Sequence, residues 1–275
     1  MTVRDKLWLF ASRAHDDDIF FLRAKERPKA RWSRITPAEG AFMLGVPNMI
    51  MVESDGEPCP YTEDAFGYLE SCCRIKNLLW SVTGSAGYRN GNEEEFICDM
   101  AEKYPNIVGA YFDDFHGDYR KQSTLEEPQI RELFRKVRTQ IDKACRPMES
   151  WATVYVTQLK KYPQDFYDDL DGVIMWNIRK IEPEKVEEDF KQFEEYLPNK
   201  KKMMGIYLIN YGGGESLSVP DEVMEAQCEL ALRLLKEKRI EGIVFLTNCV
   251  MGIGLTSEYF VRNWIDKVGD IELED

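Results

Sequence analysis

The sequence predicts a single (β/α)8 barrel, and three observations carry that prediction. Eight short, mostly continuous apolar runs recur along the 275 residues, amphipathic segments with helical spacing lie between them, and no low-complexity linker divides the chain. Continuous apolar runs of this length are strands buried on both faces, the habit of parallel sheets. Strands that alternate with helices build α/β layers. Six such strands would suggest a doubly wound sheet, which is the runner-up, whereas eight close a ring. The span 1–275 is therefore expected to be one domain, with a long first βα loop at about 13–35 that folds over the barrel mouth.

Taken in order, the expected strands are "KLWLFAS" (6–12), "NMIMVES" (48–54), "NLLWSVT" (77–83) and "IVGAYFDD" (107–114). They continue with "SWATVYVT" (150–157), "GVIMWN" (172–177), "KMMGIYLIN" (202–210) and "GIVFLTN" (242–248). The helices between them show one apolar stripe each. Val186, Phe190, Phe193 and Leu197 recur at spacings of four, three and four, and Val223, Ala226, Leu230 and Leu234 repeat the pattern. Ile130, Val137 and Ile141 mark another helix, and Phe260, Val261, Trp264, Ile265 and Val268 the last, which stops at Gly269. Thr36 before "PAEG" is an N-cap with proline at the first helical position and glutamate three residues on. The segment after the fifth strand, "KYPQDFYDDL", is short and has the weakest helical pattern.

Composition narrows the partners. Lys and Arg total 36 against 49 Asp and Glu, a net charge of −13. Such a surface repels phosphate backbones and anionic bilayers, so neither nucleic acid nor membrane is an expected partner. No run approaches the roughly 18 apolar residues of a membrane span, and the five-residue apolar stretch near the N-terminus is too short for a secretory signal. Seven cysteines, an odd count without a CxxC pair, read as free thiols of a cytoplasmic protein rather than a zinc ribbon or disulfide framework.

In a barrel of this kind functional residues gather at the C-terminal ends of the strands, which turns the strand assignments into a candidate list. Strand four ends in the doublet Asp113 and Asp114, an unusual finish for an apolar strand; strand two ends in Glu53, and Glu215 follows strand seven. These four carboxylates are the catalytic candidates. Alternation allows only one of Asp113 and Asp114 to point into the ring, and the sequence leaves open which. Arg13, Trp80, Tyr111, His116, Tyr155, Trp176, Asn177, Asn210, Tyr211 and Asn248 complete the expected rim. Aromatic faces interleaved with amides and carboxylates suit sugars, whose C–H faces stack and whose hydroxyls hydrogen-bond. The expected ligand is a small molecule or oligosaccharide, and no cofactor is called for. "HDDD" (15–18) invites a metal reading, but with two histidines in the chain and no HxH pair it is taken as a solvated loop opening, and no metal is expected.

The run "GAYFDDF" on a fourth barrel strand resembles the acid motif of TIM-barrel glycoside hydrolases, the polygalactosaminidase-like enzymes among them. The resemblance covers about seven residues, and carried over it reaches Asp113 or Asp114. It implies a carbohydrate-active hydrolase using a strand-four aspartate. Two departures stand beside it: "IYLINYGGG" lacks the seventh-strand glutamate of many such enzymes, and the DxxDxDxE pattern of chitinase-like barrels is absent. The alternatives are a metal- or phosphate-assisted sugar-phosphate lyase, isomerase or epimerase, suggested by the glycine-rich loops after strands seven and eight, and a non-catalytic sugar-binding barrel.

Overall fold

The computed structural model describes residues 1–14, 33–118, 123–177, 182–210 and 217–274. Eight parallel strands close into a barrel: β1 (Leu7–Ala11), β2 (Asn48–Met51), β3 (Asn77–Thr83), β4 (Ile107–Phe112), β5 (Glu149–Tyr155), β6 (Gly172–Trp176), β7 (Lys201–Tyr207) and β8 (Gly242–Leu246). Each pairs with its sequence neighbours, and β1 pairs with β8 through Leu7–Ile243 to Phe10–Leu246, which completes the ring. The fold is the single (β/α)8 barrel that the sequence predicts.

Seven α-helices are present among the described residues: α1 (Pro37–Leu44), α2 (Glu63–Ser71), α3 (Glu93–Lys103), α4 (Glu127–Ile141), α5 (Val186–Tyr196), α6 (Asp221–Lys236) and α7 (Thr256–Val268). Thr36 caps α1 in a reciprocal box with Glu39, as its sequence signature predicts. Between β5 and β6 there is no α-helix. Two 3-10 turns, Val156–Gln158 and Gln164–Tyr167, take its place. The reason is local: Pro163 interrupts the segment, and its aromatics pack as a stack rather than a stripe, with Tyr162 and Phe166 4.0 Å apart.

Strand alternation divides the core in two. Outward side chains such as Leu9, Met49, Leu78, Trp80, Phe112 and Phe245 meet the helices. Inward side chains fill the barrel: Trp8 and Phe10, Ile50 and Val52, Leu79, Tyr111, Trp151, Ile174 and Trp176, Met203 and Tyr207, Val244 and Leu246. The interior is thus packed, not a pore. Large indoles fit because neighbouring strands supply glycine: a Cβ on Gly205 would lie 2.3 Å from the Trp176 ring.

Candidate functional site

The phase of β4 decides the orientation of the acid doublet. Tyr111 is inward and Phe112 outward against Phe134 of α4, so Asp113 is inward again. It is buried, and its Oδ1 accepts a 2.9 Å hydrogen bond from Thr153 Oγ1 on β5. Thr153 Oγ1 also lies 2.5 Å from the Tyr111 hydroxyl. Its own backbone is locked to β3: Asp113 N donates to Thr83 O (2.9 Å), and Thr83 Oγ1 donates to Asp113 O (2.6 Å).

Asp114 turns along the rim instead. Its φ of 36° lies in the left-handed region that non-glycine residues rarely adopt. One carboxylate oxygen accepts from the Tyr155 hydroxyl at 2.9 Å and the other from Ala86 N at 3.0 Å. Ala86 also has positive φ (57°), as do Asp55 (52°) and Tyr61 (63°), so left-handed residues concentrate in the loops after β2, β3 and β4. Backbone held in sparse regions needs surroundings that over-determine it. Here Gly84 packs so closely on β2's end that a Cβ would lie 2.1 Å from Glu53 O, and Ser85 N donates to that same oxygen at 3.0 Å. The turn is clamped from one side by β2 and from the other by Asp114.

Beneath the acids lies an aromatic floor. Phe10 meets Tyr111 edge-on at 6.1 Å and Trp176 at 5.7 Å, and Trp176 leans on Tyr207 at 4.9 Å. Burial pushes the Tyr155 phenol well up, helped by Tyr207 and by both aspartates, and Tyr111 is raised by burial and then by Asp113. Both phenols therefore keep their protons; Tyr155 donates to Asp114, and Tyr111 lies against the Thr153 hydroxyl.

The other expected site residues fall into two groups. Tyr155 and Trp176 join the aspartates, and Tyr111 does so as floor. Trp80 does not. It points outward, 5.6 Å edge-on from Phe96 of α3, because the inward positions of β3 are Leu79 and Ser81. Asn177, following inward Trp176, reaches out to Asp189 of α5 (3.1 Å). Asn248 is fully buried. Its Oδ1 accepts from Ser12 N (3.0 Å), and its Nδ2 donates to Ser12 O (2.9 Å) and Ile35 O (2.8 Å). It clasps the end of β1 to the approach of α1.

Arg13 lies beside Tyr68 of α2, and its backbone oxygen accepts from the Cys249 thiol. His116 stacks on Tyr162 with Nδ1 3.1 Å from its hydroxyl, and burial plus the Lys161 charge push its pKa down to about 4. Asn210 N donates to Leu217 O at 2.8 Å, closing the base of the loop after β7. Tyr211, Glu215, the "HDDD" segment and most of the first βα loop lie outside the described residues.

Glu53 follows inward Val52 and so faces out of the ring, towards the N-terminus of α3. It is buried with Asn90 Nδ2 at 3.5 Å from Oε2, while Oε1 finds no hydrogen-bond partner among the described residues. Burial pushes its carboxyl well up, with Glu93 and Glu57 adding to the rise against Arg89 and Asn90. Arg89 is itself engaged by Glu93 and Glu94. Among the described residues no three His, Cys, Asp or Glu side chains are grouped so as to hold a metal ion, and no helix is long and apolar enough to cross a membrane.

Sequence reasoning missed Thr153 and Ala86. A signal existed for Thr153: in "SWATVYVT" the inward phase is Trp151, Thr153, Tyr155, and a hydroxyl between two aromatics in a buried strand asks for a partner. Nothing in the local sequence announces the Ala86 amide.

No protein-family model matches the chain, and no curated protein is similar to it in sequence. Solved structures share its fold. An endo-α-mannosidase of family GH99 from Bacteroides thetaiotaomicron has a TM-score of 0.57 at 9% identity, covering 96% of this chain and 97% of that one. A Group IV chitinase from Ostrinia furnacalis, in complex with allosamidin, has a TM-score of 0.55 at 11% identity over 97% and 100% of the two chains. A probable 2-pyrone-4,6-dicarboxylic acid hydrolase from Acinetobacter baumannii, with citric acid bound, has a TM-score of 0.51 at 13% identity over 97% and 93%. The chain shares its barrel fold with TIM-barrel glycoside hydrolases and with a hydrolase of another kind. At these identities the likeness is one of fold.

Proposed function

We propose that this protein is a carbohydrate-active hydrolase of the glycoside-hydrolase type, with Asp113 as its essential carboxylate. The observation that carries the reading is Asp113 itself: an inward acid at the C-terminal end of a barrel strand, held by Thr153 above an aromatic floor of Tyr111, Trp176 and Tyr207. A sugar ring resting near such a floor would present its anomeric carbon to the carboxylate. Positive charge developing there in an oxocarbenium-like transition state would be stabilised by a negative oxygen in a poorly screened site.

Asp114 has a different part in this scheme. With one donor on each carboxylate oxygen it orients Tyr155 at the rim. Glycoside hydrolysis also needs a proton donor for the leaving oxygen, and Glu53 and Glu215 are the candidates. Burial shifts Glu53 towards the protonated form an acid donor needs, but it faces α3, so a donor role would require it to turn. Glu215→Gln and Glu53→Gln, each assayed on substrates with good and poor leaving groups, separate the two. Loss of the acid hurts poor leaving groups far more.

The test is a panel of aryl-glycosides and chito-, manno- and galactosamino-oligosaccharides against the parent protein, Asp113→Asn and Asp114→Asn. Asp113→Asn should fold normally and lose at least about a hundredfold in turnover, whereas Asp114→Asn should lose less. Full activity in Asp113→Asn ends the assignment.

A further inference from the structure

We infer that Thr153 is the positioning residue that holds Asp113 as an oriented carboxylate, with the Tyr111 phenol fixing the direction of the Thr153 proton. The inference deepens the proposed role of Asp113 and rests on that reading only for its activity arm.

The register brings the three groups together. Tyr111 on β4 pairs with Trp151 on β5, so two residues further on Asp113 stands beside Thr153. All three are withdrawn from water, at 0% exposure for Tyr111, 2% for Thr153 and 5% for Asp113. Hydrogen bonds there meet little competition from solvent.

A proton inventory gives the chain its direction. Tyrosine and threonine each bring one hydroxyl proton, and an ionised aspartate brings none. With Thr153 Oγ1 2.9 Å from Asp113 Oδ1 and 2.5 Å from the Tyr111 hydroxyl, an ionised Asp113 leaves one arrangement that satisfies both contacts. Tyr111 donates to Thr153, and Thr153 donates to Asp113. A protonated Asp113 would set no such direction. The burial that keeps Tyr111 in its phenol form keeps the first donor in place. Threonine's branched Cβ restricts χ1, so the hydroxyl cannot easily turn elsewhere. A hydrogen bond donated to the charged form of a carboxyl favours that form, so Thr153 orients Oδ1 of Asp113 and favours its ionised state.

The experiment is a carboxyl titration by NMR on protein labelled with 13C-aspartate, the Asp113 resonance being assigned by its loss in Asp113→Asn. Thr153→Val should raise the Asp113 midpoint by about one pH unit, Thr153→Ser should return it to near the parent value, and Tyr111→Phe should raise it by less. On any glycoside the parent hydrolyses, the acid limb of the kcat profile should move up with the midpoint while KM holds. An unmoved midpoint in folded Thr153→Val, or a serine variant that behaves like the valine one, overturns the inference. Should Thr153→Val fail to fold, Tyr111→Phe decides in its place, and an unmoved midpoint there is equally fatal. Failure of the functional reading looks different: Asp113→Asn would stay active while the titration still responded to Thr153.

Discussion

Asn248→Ala is expected to cost this protein a substantial part of its stability. In the sequence Asn248 reads as a rim amide for a sugar, and a rim residue can be truncated at little cost. In the fold it is fully buried, and its amide makes four hydrogen bonds, with Ser12 N, Ser12 O, Ile35 O and the Thr247 hydroxyl. Gly40 of α1 is pressed so close that a Cβ on it would lie 2.8 Å from the Asn248 Cβ. Alanine would strand the Ser12 N–H and at least one of the two carbonyls. A buried group left unpaired costs about 1–3 kcal/mol, so the total is about 3–4 kcal/mol. At about 2 °C per kcal/mol for a chain of this size, the melting temperature should fall by about 6–8 °C. Differential scanning calorimetry at pH 7 measures it. Asn248→Asp keeps the acceptor for Ser12 N–H but turns a negative oxygen towards two carbonyls, and should be at least as damaging at pH 7 with partial relief in acid. A melting temperature within about 1 °C of the parent for Asn248→Ala would refute the clasp and return the residue to the ligand.

Two further predictions concern pH. Burial, then Glu93, hold the Glu53 carboxyl in its protonated form above the pH at which the unfolded chain loses that proton. Its contribution to stability is therefore complete below about pH 4 and drains away as pH rises towards the folded value. Glu53→Gln fixes the neutral form, so its advantage in melting temperature should be near zero at pH 4 and grow through pH 7, and a difference independent of pH would contradict the burial account. His116 has the opposite sign: with its pKa pushed down to about 4, it stays neutral in the fold while the unfolded imidazole protonates. Stability is lost as pH falls from about 6.5 towards 4, and the His116 ring resonances should not titrate above pH 5.

Much of the architecture is legible along the chain because a barrel strand is a local statement. Four to seven mostly apolar residues must be buried on both faces, whatever their partners, and the eight runs in the sequence map onto eight staves. The helix between the fifth and sixth strands is the exception, and its weak pattern was the warning: Pro163 and the Tyr162–Phe166 stack settle it as two tight turns. The candidate site is legible only in part. That strand ends carry the chemistry follows from the fold class, so Asp113, Asp114, Tyr155 and Trp176 are on the sequence-derived list and lie together in the structure. Trp80 and Asn177 are on the same list and face outward.

The difference between those outcomes is one of phase. A sequence determines that a strand alternates, and so that Asp113 and Asp114 face different ways. Which of them looks inward depends on where the ring's interior lies, and no residue on β4 carries that information alone. It was set by closure, once Tyr111 joined Phe10 and Trp176 inside the barrel and Phe112 met Phe134 outside. Hydrogen-bond partners are more distant still. Thr153 is 40 residues from Asp113, Ala86 is 28 from Asp114, and Asn248 is 236 from Ser12. Apolar burial is a property each segment carries with it, whereas a polar contact has to be made at one distance and one angle, and only the assembled ring brings its two halves together.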